Sequence, residues 1–139
     1  MLYYACKNLG SWKKKIYSLD DIKNLKNNSL KIQCSKNTKN KKIILLSKSN
    51  KISKELDEWL MQFKDFDLVY MGSSKKFCFL AEGAADYYCR FKPCSEWDTA
   101  AGDIILTEAN GILKDVFGNK ITYNTKENLI NPYFIAKSI

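Results

Sequence analysis

The sequence predicts an α/β domain in which helices flank a mixed or mainly parallel β-sheet. Short apolar runs alternate with amphipathic helical segments along most of the chain, a pattern typical of strands joined by crossover helices. Residues 43–46 are apolar at every position, as expected of a strand that is buried on both faces. With 139 residues, 45% of them hydrophobic, the chain can bury its own core, and we expect residues 1–139 to form one domain.

The strands are predicted from short apolar or alternating runs that are bounded by Gly, Asn, Ser and Pro. In chain order they are residues 2–6, a short strand that opens at Trp12, and residues 29–34, 43–46, 66–71, 86–89, 112–116, 120–123 and 133–137. A charged, asparagine-rich loop is predicted at 35–42. The runs 112–116 and 120–123 flank the turn residues 117–119, which predicts a hairpin.

The helices are predicted from apolar residues at helical spacing together with capping residues. After a helical turn at 19–25, a helix capped by Ser53 carries apolar residues at helical spacing as far as Phe63. The next helix, 75–82, ends at Gly83. The clearest helix, 98–109, ends at Asn110-Gly111.

The net charge of +8 is unevenly distributed along the chain. Residues 1–64 hold 15 Lys and five acidic residues, whereas residues 65–139 hold seven Lys, one Arg and ten acidic residues. A basic half is compatible with nucleic-acid binding or with contact to an anionic membrane surface. We favour a solvated, lysine- and asparagine-rich surface, because the lysines are scattered and no nucleic-acid motif frames them. Arg90, the only arginine beside 22 lysines, indicates a need for a planar, bidentate guanidinium.

Histidine is absent, which excludes Ser-His-Asp and Cys-His catalysis. The cysteines have irregular spacing without a Cys-x-x-Cys pair, so neither a zinc site nor a disulfide framework is expected. We expect them to be small buried residues: Cys6, Cys34, Cys78, Cys89 and Cys94. No run approaches the roughly 20 apolar residues of a membrane-spanning helix. Because the first ten residues do not resemble a signal peptide, we expect a cytoplasmic location.

Residues suited to hold a metal and a phosphate occur between positions 72 and 102. Asp98 opens the predicted helix 98–109, where the helix dipole favours an ionised carboxylate, the ligand type that Mg²⁺ prefers. Ser73 follows a strand and precedes a helix, so its hydroxyl and the neighbouring N–H groups could hold a phosphate, with the charge of Lys76 one turn further on. Ordinary helix caps and a surface lysine explain the same residues.

Two carboxylates in this region, Glu82 and Asp86, are candidates for acid–base groups. Both lie near the predicted end of the helix 75–82. A solvated helix end explains them equally well, so both interpretations remain open. Trp97, directly before Asp98, is expected to form a wall of the site.

Several motifs in this region resemble those of a known phosphatase superfamily. Residues 97–102 read Trp-Asp-Thr-Ala-Ala-Gly and precede an apolar helix that ends in Ala-Asn-Gly, which resembles the C-terminal signature of the inositol monophosphatase superfamily. Within that superfamily, three further motifs are similar to those of the 3'(2'),5'-bisphosphate nucleotidases. These are Gly-Ser-Ser-Lys-Lys-Phe-Cys at 72–78, Ala-Glu-Gly-Ala-Ala-Asp at 81–86 and Tyr-Cys-Arg-Phe at 88–91.

The resemblance implies a fold, a reaction and a set of site residues. The fold is the layered α/β fold of inositol monophosphatase-like sugar phosphatases, with residues 1–139 as its C-terminal domain. Members of the nucleotidase family use Mg²⁺ to hydrolyse 3'-phosphoadenosine 5'-phosphate to AMP and phosphate. By motif match, Asp98 is a metal ligand near the reacting phosphate. Ser73, Lys76 and Arg90 match residues that contact the nucleotide.

The chain also departs from the family pattern. The other metal ligands of the family come from an N-terminal half with a Glu-Glu element and an Asp-Pro-x-Asp-Gly-Thr motif, and neither occurs here. One carboxylate cannot hold a pair of Mg²⁺ ions, so we expect the 139 residues to be inactive alone. They are then a fragment, or they work with a separate chain that carries the N-terminal half. Asn50 stands where the family often has a His, which puts that substrate contact in doubt.

Two other functions remain open at this point. The first is an inositol monophosphatase-like enzyme that acts on a sugar phosphate, although residues 72–78 and Arg90 argue against it. The second is a non-catalytic module that binds nucleic acid through its basic half.

Overall fold

A computed structural model of the chain describes residues 1–35, 41–48 and 53–139. Within these ranges the strands are β1 (Leu2–Cys6), β2 (Gly10–Lys14), β3 (Leu30–Ile32), β4 (Lys42–Ser47), β5 (Phe66–Met71), β6 (Tyr87–Arg90), β7 (Ile112–Asp115) and β8 (Phe134–Lys137). The helices are α1 (Leu19–Lys23), α2 (Lys54–Leu60), α3 (Lys75–Ala81) and α4 (Ala100–Glu108). A single turn of 3-10 helix, Glu96–Asp98, shortly precedes α4.

The larger sheet contains five strands in the order β5-β4-β6-β8-β7. The strands β5, β4 and β6 are parallel, whereas β8 is antiparallel to both β6 and β7. The predicted α/β domain with a mixed sheet is therefore confirmed. Because the three parallel strands point the same way, their carboxyl ends meet at one edge of the sheet.

Both faces of the larger sheet are covered, as the apolar run in β4 predicts. Successive side chains of a strand point to opposite faces. Ile44 and Leu46 pack against α2 in one core cluster. Leu45 packs in a second cluster with Phe77 of α3 and Leu106 of α4. The strand thus joins the two halves of the core.

The smaller sheet, β1-β2-β3, is antiparallel and packs against α4. The buried hydroxyl of Ser11 in β2 donates a hydrogen bond to the carbonyl oxygen of Ile105, 2.6 Å away. The carboxylate of Glu108 accepts the N–H groups of Asn8 and Gly10 at 2.9 and 3.1 Å. Since α4 also contacts α3 and β7, the pair α3–α4 forms a layer between the two sheets.

The capping residues act largely as predicted. Ser53 accepts the N–H of Leu56 at the start of α2, which ends at Leu60 rather than at Phe63. Gly83 follows α3 with a φ of +70°, a left-handed conformation that favours glycine. No helix in the described ranges is long and apolar enough to span a membrane.

The helix predicted at 98–109 begins later than expected. Asp98 ends the 3-10 turn, and Thr99, with a φ of −121° and a ψ of −30°, separates that turn from α4. The Oδ2 atom of Asp98 accepts the N–H of Ser95 at 3.1 Å, which closes the turn. The placement of Asp98 in the first turn of α4 was therefore wrong, and the dipole of α4 does not explain its charge.

The predicted hairpin is also incomplete. Residues 120–123 form no strand, and their link to β7 is an isolated bridge between Lys114 and Lys120. The Oδ1 atom of Asp115 accepts the N–H groups of Phe117 and Asn119 at 2.9 and 2.7 Å. These hydrogen bonds to the Asp115 carboxylate hold the following residues in a compact loop. The chain therefore does not continue as a strand paired with β7.

The cysteines and one predicted loop differ in part from expectation. All five cysteines are free; Cys78, Cys89 and Cys94 are buried, Cys34 is partly buried and Cys6 is exposed. The prediction of a buried residue was wrong for Cys6, because it ends β1 at the edge of the smaller sheet. In the predicted loop 35–42, residues 36–40 lie outside the described part of the chain, and the last residue already belongs to β4.

Candidate active site

A cleft of about 570 Å³ opens at the edge where the parallel strands end. Ser47 is the last residue of β4 and Arg90 the last residue of β6, and residues 72–74, which join β5 to α3, line the cleft beside them. The opposite wall is formed by the 3-10 turn and the start of α4. In sheets of this kind, the crevice at the carboxyl ends of the strands is the usual place for a ligand.

All four site residues predicted from the sequence line this one cleft. Ser73 stands before α3, Lys76 lies within α3, Arg90 ends β6 and Asp98 ends the 3-10 turn. Trp97 also lines the cleft, as expected, and its side chain is exposed. These four residues, from three stretches of the chain between positions 73 and 98, therefore bring one carboxylate, one hydroxyl and two cationic groups to a common space.

Lys76 is buried rather than a surface lysine, with 2% of its area exposed. Its Nζ donates to the carbonyl oxygens of Met71 at 3.2 Å and Ser73 at 2.8 Å, and lies 4.7 Å from the ring centre of Tyr88. Burial and, as a smaller effect, the positive charge of Arg90 lower the pKa of Lys76 to about 8. The ammonium group thus anchors the segment before α3 and leaves a charge at the base of the cleft.

Ser73 has a left-handed backbone conformation, with a φ of +63°. Its Oγ accepts the N–H of Lys75 at 3.3 Å, and its carbonyl oxygen is held by Lys76. A non-glycine residue in this region costs free energy and persists where its surroundings hold it. These two contacts keep the exposed side chain of Ser73 at the cleft.

The guanidinium of Arg90 is held on two sides. Nη1 donates to Oγ of Ser47 at 2.8 Å, and Nη2 donates to the carbonyl oxygen of Pro93 at 3.1 Å. Among the described residues, no salt bridge neutralises Arg90 or Lys76. Two cations without a carboxylate partner create a positive potential that attracts anions into the cleft.

Asp98 is exposed and supplies the carboxylate of the cleft. In the part of the chain that the structure describes, no group of three or more His, Cys, Asp or Glu residues is arranged to hold a metal ion. A Mg²⁺ ion needs about six oxygen ligands and usually takes one or two carboxylates together with substrate phosphates and water. The described residues therefore offer one ligand for Mg²⁺ and do not form a complete site by themselves.

The two candidate acid–base carboxylates lie outside the cleft. Glu82 bonds to the hydroxyl of Tyr3 and to the ammonium of Lys13, which ties α3 to the smaller sheet. Asp86 accepts the N–H of Ile43 at 2.7 Å and is buried. Both residues therefore make structural contacts away from the cleft, which does not support an acid–base role, and their partial or full burial also contradicts the alternative of a solvated helix end.

The sequence analysis gave no role in the site to two residues that shape the cleft. Ser47 contacts Arg90, and Asn131 holds the turn that carries Asp98: its Nδ2 donates to the carbonyl oxygen of Ser95 at 2.8 Å and to Oγ1 of Thr99 at 3.0 Å. A polar residue directly after a buried apolar run was the available signal for Ser47. Asn50, where the family often has a His, lies outside the described residues.

The layered α/β fold and the cationic cleft are suited to binding phosphate groups, and the comparison with known families places the chain in a class of such proteins. Residues 1–138 match the model of the inositol monophosphatase family. The chain therefore belongs to the inositol monophosphatase family.

Within the family, the chain is similar to proteins named 3'(2'),5'-bisphosphate nucleotidase CysQ. The CysQ of Salmonella typhimurium is 40% identical over 92 residues, which cover 66% of this chain and 37% of that protein. The CysQ of Haemophilus influenzae is 36% identical over 137 residues, which cover 96% of this chain and 46% of that protein. The chain thus spans about half the length of these relatives, or less.

Solved structures show the same likeness in fold. The crystal structure of CysQ from Bacteroides thetaiotaomicron, a bacterial member of the inositol monophosphatase family, superposes with a TM-score of 0.75 and 27% identity, covering 98% of this chain and 53% of that chain. An inositol monophosphatase from Anabaena has the same fold, with a TM-score of 0.65 and 18% identity over 97% of this chain and 50% of that chain.

Proposed function

We propose that residues 1–139 form the C-terminal, nucleotide-binding domain of a Mg²⁺-dependent phosphatase. Its substrate is 3'-phosphoadenosine 5'-phosphate, and its products are AMP and phosphate. The observation that carries the proposal is the cleft in which Ser73, Lys76, Arg90 and Asp98 come together. The similarity to proteins named bisphosphate nucleotidases favours a nucleotide over a sugar phosphate. We place the reaction in the cytoplasm, whose reducing conditions suit free cysteines.

The cations bind the substrate through its phosphates. Arg90 donates N–H groups to phosphate oxygens, and hydrogen bonds between charged groups are about twice as strong as neutral ones. Lys76 adds a positive charge from below. The exposed hydroxyl of Ser73 donates a further hydrogen bond. A bisphosphate, with more negative charge than a monophosphate, gains most from these groups.

Asp98 contributes one ligand to the metal site. The remaining ligands come, in this proposal, from an N-terminal half outside these 139 residues, in keeping with relatives of about twice the length. When bound, the metal supplies Lewis-acid activation of the phosphate. The chain by itself binds the nucleotide and orients it, and does not hydrolyse it.

A binding measurement on the chain tests this function. We expect isothermal titration calorimetry to show that 3'-phosphoadenosine 5'-phosphate binds at least about tenfold more tightly than inositol 1-phosphate, since each charge-assisted contact is worth about 1.5 to 3 kcal/mol. Arg90→Lys keeps the charge but loses the planar donor pair, and should remove most of this preference.

Three results would contradict the proposal. Equal or tighter binding of inositol 1-phosphate would favour a sugar phosphatase. Strongly salt-dependent binding of a single-stranded oligonucleotide, without any preference for the bisphosphate, would favour a nucleic-acid module. Rapid, Mg²⁺-dependent release of phosphate by the purified chain would show that it needs no other half.

The pKa of Lys76 predicts how this binding depends on pH. The anion prefers the protonated ammonium, so the affinity should stay level below about pH 8 and fall by up to about tenfold per pH unit above it. The phosphates of the ligand are already ionised in this range, because their second pKa lies near 6. Calorimetric titrations between about pH 7 and about pH 9 measure the effect.

Two lysine variants make this pH experiment specific. Lys76→Met should bind more weakly at neutral pH and show a level affinity over the same range. Lys75→Met removes an equal charge from the neighbouring, exposed position and should keep the pH dependence of the parent. A pH dependence that survives in Lys76→Met would rule out Lys76 as its source.

A further inference from the structure

We propose that Ser47 is a positioning residue, which fixes the plane of the Arg90 guanidinium so that its remaining N–H groups point to the anion. The inference rests on the proposed function insofar as the anion is a phosphate of the substrate. The orientation of the guanidinium itself can be measured without any ligand.

The sheet topology brings these two residues together. β4 and β6 are parallel neighbours, with Ile44 paired to Tyr87 and Leu45 paired to Tyr88. The same offset of 43 residues places Ser47, the last residue of β4, beside Arg90, the last residue of β6. The contact between their side chains therefore follows from the register of two buried strands, which leaves little freedom for it to shift.

Burial makes the contact specific. Ser47 is 6% exposed, and its Oγ accepts the hydrogen bond from Nη1 of Arg90 at 2.8 Å. The carbonyl oxygen of Pro93 holds Nη2 from the other side at 3.1 Å. With a partner on each outer nitrogen, the guanidinium is held against rotation about its own axis. Removal of the Ser47 hydroxyl would leave the carbonyl of Pro93 and the nearby hydroxyl of Tyr88, which interacts with both Ser47 and Arg90.

The third nitrogen of the guanidinium, Nε, indicates that the contacts of the two outer nitrogens determine the orientation of the whole group. Nε of Arg90 is buried and has no hydrogen-bond partner among the described residues. A buried, unsatisfied donor costs free energy, so Nε itself does not favour this orientation. The contacts to Ser47 and Pro93 hold the group in place despite that cost.

The orientation has a chemical consequence. A guanidinium has five N–H donors, one on Nε and two on each outer nitrogen. Ser47 and Pro93 each use one donor, and Nε is not accessible to a ligand. One N–H therefore remains on Nη1 and one on Nη2. The phosphate oxygens are bound through the two outer nitrogens and not through Nε, because the contact with Ser47 holds the guanidinium in this orientation.

The first experiment uses the fact that Arg90 is the only arginine of the chain. After labelling with ¹⁵N-arginine, the parent protein gives NMR signals from one guanidinium, and we expect separate Nη resonances from slow rotation. In Ser47→Ala these resonances should broaden and merge, whereas Ser47→Thr, which keeps the hydroxyl, should resemble the parent.

A matched control separates positioning from general loosening. Ser11→Ala removes another buried serine hydroxyl, which bonds to the carbonyl oxygen of Ile105 in the smaller sheet. This variant should leave the Nη resonances of Arg90 unchanged. If the two Nη resonances of Arg90 remain as well separated in Ser47→Ala as in the parent protein, the inference is overturned.

The second experiment connects the orientation to ligand binding. Ser47→Ala should weaken binding of 3'-phosphoadenosine 5'-phosphate about tenfold, the size expected from losing a hydrogen bond to a charged group. It should leave binding of adenosine, which has no phosphate, unchanged. In the Arg90→Lys background, Ser47→Ala should have no further effect, because the group that Ser47 positions is gone.

The outcomes distinguish the two proposals. If the parent chain binds no nucleotide, the proposed function fails, while the NMR comparison still decides whether Ser47 orients Arg90. If the parent binds and the effects of Ser47→Ala and Arg90→Lys simply add, Ser47 acts independently of Arg90 and the inference is overturned.

Discussion

The Gly102→Ala variant is expected to lose about 1 to 3 kcal/mol in the free energy of unfolding, the range typical of overpacked cores. A Cβ atom at position 102 would lie 2.6 Å from Cγ and 3.0 Å from Cβ of Phe77, and closer still to Cδ2. Phe77 is 1% exposed and packs against the rings of Tyr88 and Phe134, so it cannot move aside. The better helix propensity of alanine, about 1 kcal/mol, offsets only part of the cost.

Urea denaturation of the parent and the variant measures this difference. Gly72→Ala is the matched control, because a Cβ at position 72 meets no atom within 4 Å, although the residue lines the same cleft. The control should change the free energy of unfolding by less than about 0.5 kcal/mol. A Gly102→Ala protein as stable as the parent would mean that α3 and α4 do not pack as closely as described.

Under the proposed function, the Asp98→Asn substitution should abolish most phosphatase activity when the chain is joined to the N-terminal half of a relative. In a chimera where this chain replaces the matching region of the Haemophilus influenzae relative, we expect Mg²⁺-dependent phosphate release from 3'-phosphoadenosine 5'-phosphate. Loss of residues that merely support metal ligands costs about 10- to 100-fold, so loss of a ligand should cost about 100-fold or more in kcat. The amide oxygen can still accept the N–H of Ser95, so the turn is preserved.

Asp103→Asn provides the control for this experiment. Asp103 lies in α4 and accepts the hydroxyl of Tyr123 at 3.0 Å, away from the cleft, so the same change of charge should leave kcat unaltered. Full activity of the Asp98→Asn chimera would remove Asp98 from the metal site. An inactive parent chimera would contradict the proposed function itself.

Most of the sheet could be predicted because its strands carry their own signal. In β4, the uninterrupted apolar run reports burial on both faces, and the predicted bounds of β1 and β5 are those observed. The start of α4 could not be placed, because Asn131 holds Ser95 and Thr99 through hydrogen bonds that span 36 and 32 residues. Local propensity carries no information about such a contact.

The residues of the site could be predicted from the sequence, but the contacts that hold them in place could not. The resemblance named Ser73, Lys76, Arg90 and Asp98, and the fold brings them to one cleft. The burial of Lys76 under the carbonyl groups before α3 was not predicted, because a lysine between a second lysine and a phenylalanine looks like a surface residue. The contact of Ser47 with Arg90 depends on the pairing of β4 and β6, which only the assembled sheet reveals.

The position of β8 in the larger sheet affects how the chain can fold during synthesis. β8 comes last in sequence, yet it lies between β6 and β7 and pairs with both. A ribosome therefore completes β7 before the strand that will join it to the sheet exists. Until Phe134–Lys137 emerge, β6 and β7 each present an open backbone edge, the kind of surface on which nascent chains pair wrongly. The sheet therefore closes only after the strands on both sides of β8 have been synthesised.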